Sequence, residues 1–300
     1  MKKITALLVS ILLITTLAAC SVIPTATTSA TEPSNQNTPV VAATSDNATT
    51  ASQPVAAADP ASAIIYQDTH EDTSDYVWDA AVVVPITLDG NIITASSAGV
   101  SINGSVAAIT AAGVYSLSGS LTDGQIIVNA PDDAVVQLIL NGVNLSNSTG
   151  SPLVIEEANK AILVLADNTQ NVISDSSAYV FASVDTDEPN AAIFSKSDLT
   201  IYGSGSLTVT GNYNDGIASK DGLLIASGTV SVTALDDGIR GKDYIVIKDG
   251  TITVSSQGDG LKSDNEEEAD RGFITIAGGT ITITSGADAI QAAKEVFVTS

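Results

Sequence analysis

Four aspartates recur along the second half of the chain in one local context. Asp215-Gly216-Ile217, Asp237-Gly238-Ile239 and Asp259-Gly260-Leu261 stand 22 residues apart, and Asp288 follows after a step of 29. Carboxylates brought within about 5 Å of one another repel, and burial without a neutralising partner raises their pKa. A divalent cation resolves the repulsion. Ca2+ suits the donors, because it takes about six to eight oxygen ligands in flexible geometry and adjacent repeats could share one ion. Asp236 and Asp264 stand beside the column as further oxygen donors, with Asp243 and Asn214. Soft donors are scarce, since the chain has one His and one Cys, which argues against Zn2+ and Cu2+. Two other readings account for the same column. Asp-Gly is a common turn pair that a repeating fold can reuse at every corner. Alternatively, neighbouring cations balance the charge: Lys220 and Lys242 each follow an Asp by five residues, Lys196 takes that place one turn earlier, and Asp264 takes it in the third unit.

The elements that would position these groups are short and β-rich. Ser227-Gly228-Thr229-Val230-Ser231-Val232 aligns with Asp249-Gly250-Thr251-Ile252-Thr253-Val254 and with Gly278-Gly279-Thr280-Ile281-Thr282-Ile283. The aliphatic runs Leu223-Leu224-Ile225, Ile245-Val246-Ile247 and Ile274-Thr275-Ile276 precede them in the same register. Each 22-residue unit is thus Asp-Gly-Ile, an aliphatic strand, and a Gly-Thr strand. This is the pattern of an all-β parallel β-helix whose turns stack at about 4.8 Å. Ile217, Ile225, Val230 and Val232 are the expected inward residues. A β-sandwich would need hairpin signals in place of this in-register repeat. The seven surplus residues of the long interval fall in Glu266–Gly272, where a solenoid can expel a loop from one corner.

Composition sets the partners. The 300 residues carry 34 acidic and 11 basic side chains, a formal charge of −23, yet 44% are apolar and 4% aromatic. That is a folded acidic chain, because disordered acidic chains lack the apolar content. Nucleic acid and anionic lipid surfaces are excluded as partners for want of clustered Lys and Arg. At the N-terminus, Lys2 and Lys3 precede an apolar run ending Leu17-Ala18-Ala19-Cys20. The run is of signal-peptide type and too short to span a bilayer. The sole Cys, placed directly after it, resembles a bacterial lipoprotein lipidation site, with an ordinary secretory signal as the alternative. The expected organisation is a signal over 1–20, a Ser/Thr/Ala/Pro-rich tether over 21–60, an acidic lead-in over 61–84 and the β-helix over 85–300. The chain would be exported and held to the outer face of the bacterial cell membrane only through the lipid at Cys20. His70, in the acidic lead-in, reads as a solvated side chain. The sequence ends inside an expected strand, so a further turn is expected beyond Ser300.

The runs NDGIASKD, DDGIRGKD and GDGLKSDNEE, with the upstream segments ITLDGNIIT, AAGVYSLSGSLTDGQIIV and VVQLILNGVNL, resemble the bacterial carbohydrate-binding domain-containing lipoproteins over about residues 85–300. The resemblance implies a right-handed parallel β-helix similar to calcium-dependent polysaccharide lyases. It also implies bound Ca2+ and binding of acidic, pectin-like or cellulose-type polysaccharides. Carried onto this chain, it implies calcium ligands among Asp215, Asp237, Asp259 and Asp264, with Asp236 and Asp288 as weaker members. Ala287-Asp288-Ala289-Ile290 departs from the pattern by lacking the Gly after Asp.

Three functions follow. A binding protein would use Ca2+ to bridge its own carboxylates to sugar carboxylates, with Lys220, Arg240, Lys242 and Lys262 as supporting cations. Tyr244 and Phe273, aligned on successive strands above Gly222, are the candidate platform for a sugar ring, or else a stabilising cross-rung stack. A polysaccharide lyase would need Ca2+ to acidify the proton beside the uronate carboxylate and a base, for which Lys220, Arg240 and Lys242 are candidates. No single rung stands out as an active site, so no catalysis is expected. A structural or adhesive wall protein would use calcium only to stiffen the rod.

Overall fold

The computed structural model describes residues 69–299. The expected signal, Cys20, the tether and the first part of the lead-in lie outside them. Alternating Val, Ile, Thr and Ser, broken by Gly and Asp every few residues, suit short pleated strands and are too interrupted for helices. Among the described residues the only helical segments are two 3-10 turns, Thr73–Tyr76 and Ala80–Val82. The strands form a parallel β-solenoid of about seven turns.

From Ala191 onward each turn contributes strands to three columns. The first column stacks Ala191–Ser195, Asp215–Ser219, Ile239–Gly241, Leu261–Ser263 and Ile290–Ala292. The second stacks Asp198–Gly203, Gly222–Ile225, Tyr244–Ile247, Phe273–Ile276 and Val296–Val298. The third stacks Ser206–Gly211, Thr229–Ala234, Thr251–Ser256 and Thr280–Thr284. Ile217 pairs with Ile239, Ile239 with Leu261, and Leu261 with Ile290. Asp215, Asp237, Asp259 and Asp288 therefore fall on one line at the corner between the third and first columns. The seven extra residues leave between Ser263 and Phe273, and the strands on either side keep register.

The interior is a set of aliphatic ladders. Leu207, Val230, Ile252 and Ile281 form one, and Leu199, Leu223, Ile245 and Ile274 another. Ile217, Ile225, Val230 and Val232 are all buried, as expected. Each such side chain contributes roughly 1.5–3 kcal/mol of burial. The same packing explains the glycine after each aspartate. A Cβ on Gly216 would lie 2.3 Å from Val232 Cγ1 and 2.7 Å from the Gly238 carbonyl oxygen, and one on Gly238 would lie 2.2 Å from Val254 Cγ1.

Two features go beyond the repeat. The first turns contain antiparallel hairpins, Val84–Gly90 with Ile92–Ala95 and Val100–Asn103 with Val106–Ile109. They close one end of the stack, which would otherwise present open strand edges. The second feature is that residues 69–83 strap the outer face of the second column. Asp75 pairs with Lys160 at 2.7 Å and Glu71 with Lys248 at 2.7 Å, while Tyr76 packs edge-on against Tyr202. The outward apolar residues Ile162, Val164, Leu224 and Val246 are accordingly buried rather than exposed.

Candidate metal centre at the aspartate corner

The first three aspartates of the corner each use one carboxylate oxygen to hold the next rung. Asp215 Oδ1 accepts the Asp237 amide at 3.1 Å, Asp237 Oδ1 accepts the Asp259 amide at 2.8 Å, and Asp259 Oδ1 accepts the Asp288 amide at 2.9 Å. Half of each carboxylate thus does the work of turn chemistry. The other half differs from rung to rung. Lys262 Nζ sits 2.9 Å from Asp237 Oδ2 and 3.2 Å from Asp259 Oδ2, already bridging those two rungs. Asp215 Oδ2 is buried and accepts no hydrogen bond, and its nearest cation is Arg240 Nη1 at 3.9 Å.

An orphaned buried carboxylate oxygen is costly unless something supplies charge. Burial first, and the charge of Asp237 second, push the Asp215 carboxyl up to about 7, against the opposing pull of Arg240. Asp236, exposed on the next rung, is also raised, by desolvation and by Asp237. Asp215, Asp236 and Asp237 each offer an oxygen within 4.8 Å of the others. Gly258 leaves space beside them, since a Cβ there would lie 2.4 Å from Asp236 Oδ1 and 2.7 Å from Asp237 Oδ1. An all-oxygen donor set around an open cradle, with one donor oxygen lacking a partner, fits a hard divalent cation such as Ca2+.

Asp264 pairs with Arg240 at 2.6 Å, and Asp288 is exposed on the last rung. The sequence leads calcium to be expected most strongly around Asp237, Asp259 and Asp264. Lys262 lies between Asp237 and Asp259, Arg240 pairs with Asp264, whose Oδ1 is buried without a hydrogen bond, and the three acids whose oxygens lie within 4.8 Å of one another are Asp215, Asp236 and Asp237. The balancing cations are accordingly Arg240 and Lys262, not the Lys220 and Lys242 column. Lys220 pairs with Glu188, and Lys242 makes no ion pair among the described residues. Tyr244 and Phe273 stack as aligned, with centroids 5.5 Å apart. Their role as an exposed platform is corrected, however: they are 1% and 2% exposed. The Tyr244 hydroxyl, with one proton to donate, lies between Asp198 Oδ1 at 3.0 Å and the Thr69 carbonyl of the strap. Gly222 is bare because the Tyr244 ring lies over it. His70 is likewise not simply solvated. Its Nδ1 lies 2.8 Å from Asp198 Oδ2, and with Asp221 it forms a second group of possible ligands.

Sequence reasoning missed an aromatic cluster. The Tyr179 and Tyr213 rings stack 4.2 Å apart at 16°, and Phe181 lies 5.8 and 5.9 Å from them. The signal was legible in part, since Tyr179 and Phe181 sit in the one long interval without a strand, residues 175–190, and Tyr213 directly precedes Asn214-Asp215.

Known proteins share this architecture. The Acetivibrio thermocellus carbohydrate-binding domain-containing protein is 37% identical over 150 residues, which are 50% of this chain and 52% of that protein. This chain therefore spans about half the length of that relative. Among solved structures, the polysaccharide lyase-like protein from C. thermocellum, in a gadolinium derivative, superposes with a TM-score of 0.70 at 31% identity, covering 73% of this chain and 98% of that one. The profile of the carbohydrate-binding domain-containing proteins matches residues 103–300, and with two thirds of its length inside that match the chain belongs to this family.

Proposed function

We propose that this protein binds acidic, pectin-like polysaccharide through a calcium ion at the aspartate corner, and that a lipid on Cys20 holds it on the outside of the bacterial cell. The observation that carries the reading is Asp215, whose Oδ2 is buried with no hydrogen bond and whose carboxylate offers an oxygen within 4.8 Å of those of Asp236 and Asp237. A chain with a formal charge of −23 repels polyuronate, and an ion held by protein oxygens with coordination to spare converts that repulsion into a bridge. The family membership supports polysaccharide as the partner. Arg240 and Lys262, at 2.6–2.9 Å from Asp264 and Asp237, line the same corner and supply cations beside it.

The test is calorimetric titration of polygalacturonate into the purified protein with calcium and then with chelator, with ultraviolet absorbance read for unsaturated uronate. Calcium-dependent binding without product is expected, and it should disappear in Asp215→Asn. Product formation that Lys242→Ala or Lys220→Ala abolishes would replace this reading with a lyase. Absence of binding, with a melting temperature that still responds to calcium, would leave a structural rod.

A further inference from the structure

Between Ser174 and Ala191 the chain leaves the solenoid at the corner that, one turn later, begins to carry the aspartates. This excursion is held down. The Tyr179 hydroxyl donates to Asp175 Oδ2 at 2.7 Å and lies 3.2 Å from the Ala191 carbonyl and from Ser151 Oγ. Near its other end, Glu188 pairs with Lys220 of the first column. Tyr179 is thus the anchored ring, and Tyr213 and Phe181 complete a partly exposed aromatic surface against it. The Tyr213 hydroxyl makes no hydrogen bond to any described residue, and Tyr213 stands two positions before Asp215. Beside the rings runs a cleft lined by Val106, Gln125, Asn147, Ser151, Tyr179 and Phe181. Its lining is amide, hydroxyl, aromatic and aliphatic, with no charged side chain. Aromatic faces with a few neutral hydrogen-bonding groups suit a sugar ring, which offers an apolar C–H face and a rim of hydroxyls.

We infer that Tyr213, Phe181 and the neutral cleft form a ring-stacking subsite for an uncharged stretch of the polysaccharide whose charged stretch is held at the aspartate corner. The inference rests on the proposed function for its ligand class and adds a pattern: a galacturonan carrying both esterified and free residues would be read by both sites at once. The aromatic site needs no ion, because it meets no carboxylate. A purely structural role for the rings would pin the loop without touching glycan.

Fully methyl-esterified homogalacturonan and its de-esterified form separate the two, since they share a backbone and differ in charge. Each is titrated into the purified protein with calcium and with chelator. The esterified polymer should bind equally in both conditions, weaken at least tenfold in Phe181→Ala and Tyr213→Ala, and be retained in Tyr213→Phe, with melting temperatures recorded for each. No binding of the esterified polymer to the unaltered protein, or undiminished binding to both alanine variants, overturns the aromatic subsite. So does a loss that merely tracks a collapse in melting temperature while Tyr213→Phe also loses binding. Failure of the calcium-dependent arm with de-esterified polymer instead strikes the aspartate corner and leaves the aromatic result standing.

Discussion

One corner of the solenoid carries two chemistries at a single register position. Following the line of Asp288, Asp259, Asp237 and Asp215 back through the pairing leads to Ala191, then Ser151, then Gly124. The backbone turns the same corner throughout, yet the earlier rungs hold small neutral residues and the later ones hold carboxylates. Ser151 Oγ donates 2.6 Å to the Ala191 carbonyl, a bond satisfied within the protein. Asp215, one rung above Ala191, leaves an oxygen unsatisfied. The difference teaches that the turn does not require aspartate. The carboxylates are an addition to a corner that closes without them, and they bring charge that needs a partner. Aromatic rings cover the neutral part and lysine and arginine line the acidic part, so the boundary at Asp215 divides the surface as well as the column.

The comparison breaks most visibly if acid is forced onto the neutral side. Ser151→Asp would bury a charge beside a carbonyl oxygen with no cation at hand. A loss of about 3–5 kcal/mol is expected, read as a lowered urea midpoint. Cation removal probes the acidic side. At about a hundred times its Kd, calcium should stabilise the fold by about 2.7 kcal/mol relative to chelator, and Asp215→Asn should erase that increment in thermal unfolding. Glycine tests whether the acidic rungs pack more tightly. A Cβ on Gly238 would meet Val254 at 2.2 Å, whereas one on Gly150 meets nothing within 4 Å. Gly238→Ala should therefore cost about 1–3 kcal/mol and Gly150→Ala close to nothing in the same denaturation assay.

A pH slope gives a further test of the acidic side. With chelator present, folded Asp215 holds its proton up to about 7, whereas the unfolded chain releases it near about 4. Its contribution to stability is then fully present below about 4 and is lost as pH rises through about 7. Asp215→Asn should flatten that slope in melting temperatures measured from acid to neutral pH. A slope that persists unchanged would place the titration elsewhere.

Much of the rung geometry could be read in advance. The 22-residue step, the Gly-Thr alignment and the inward Ile217, Ile225, Val230 and Val232 follow from local rules: alternation sets the faces, and identical spacing sets the register. The aspartate column could be read for the same reason. Its division into rungs neutralised by Lys262 and a rung left open at Asp215 could not, because it depends on which side chain of the next turn reaches back. Tyr244 and Phe273 illustrate the same limit. Their alignment and outward direction were legible, but their burial was decided by a strap more than a hundred residues away in sequence.

Sequence alone determined that this chain is an acidic solenoid with a carboxylate at one corner of each late turn, since repeat length and pleat alternation are local properties. Only the tertiary structure decided which carboxylate lacks a partner, which aromatics face solvent and that Thr69–Val83 covers the second column. Those depend on contacts between residues far apart in the chain, where burial and distance, rather than spacing, determine which charge is left for a ligand.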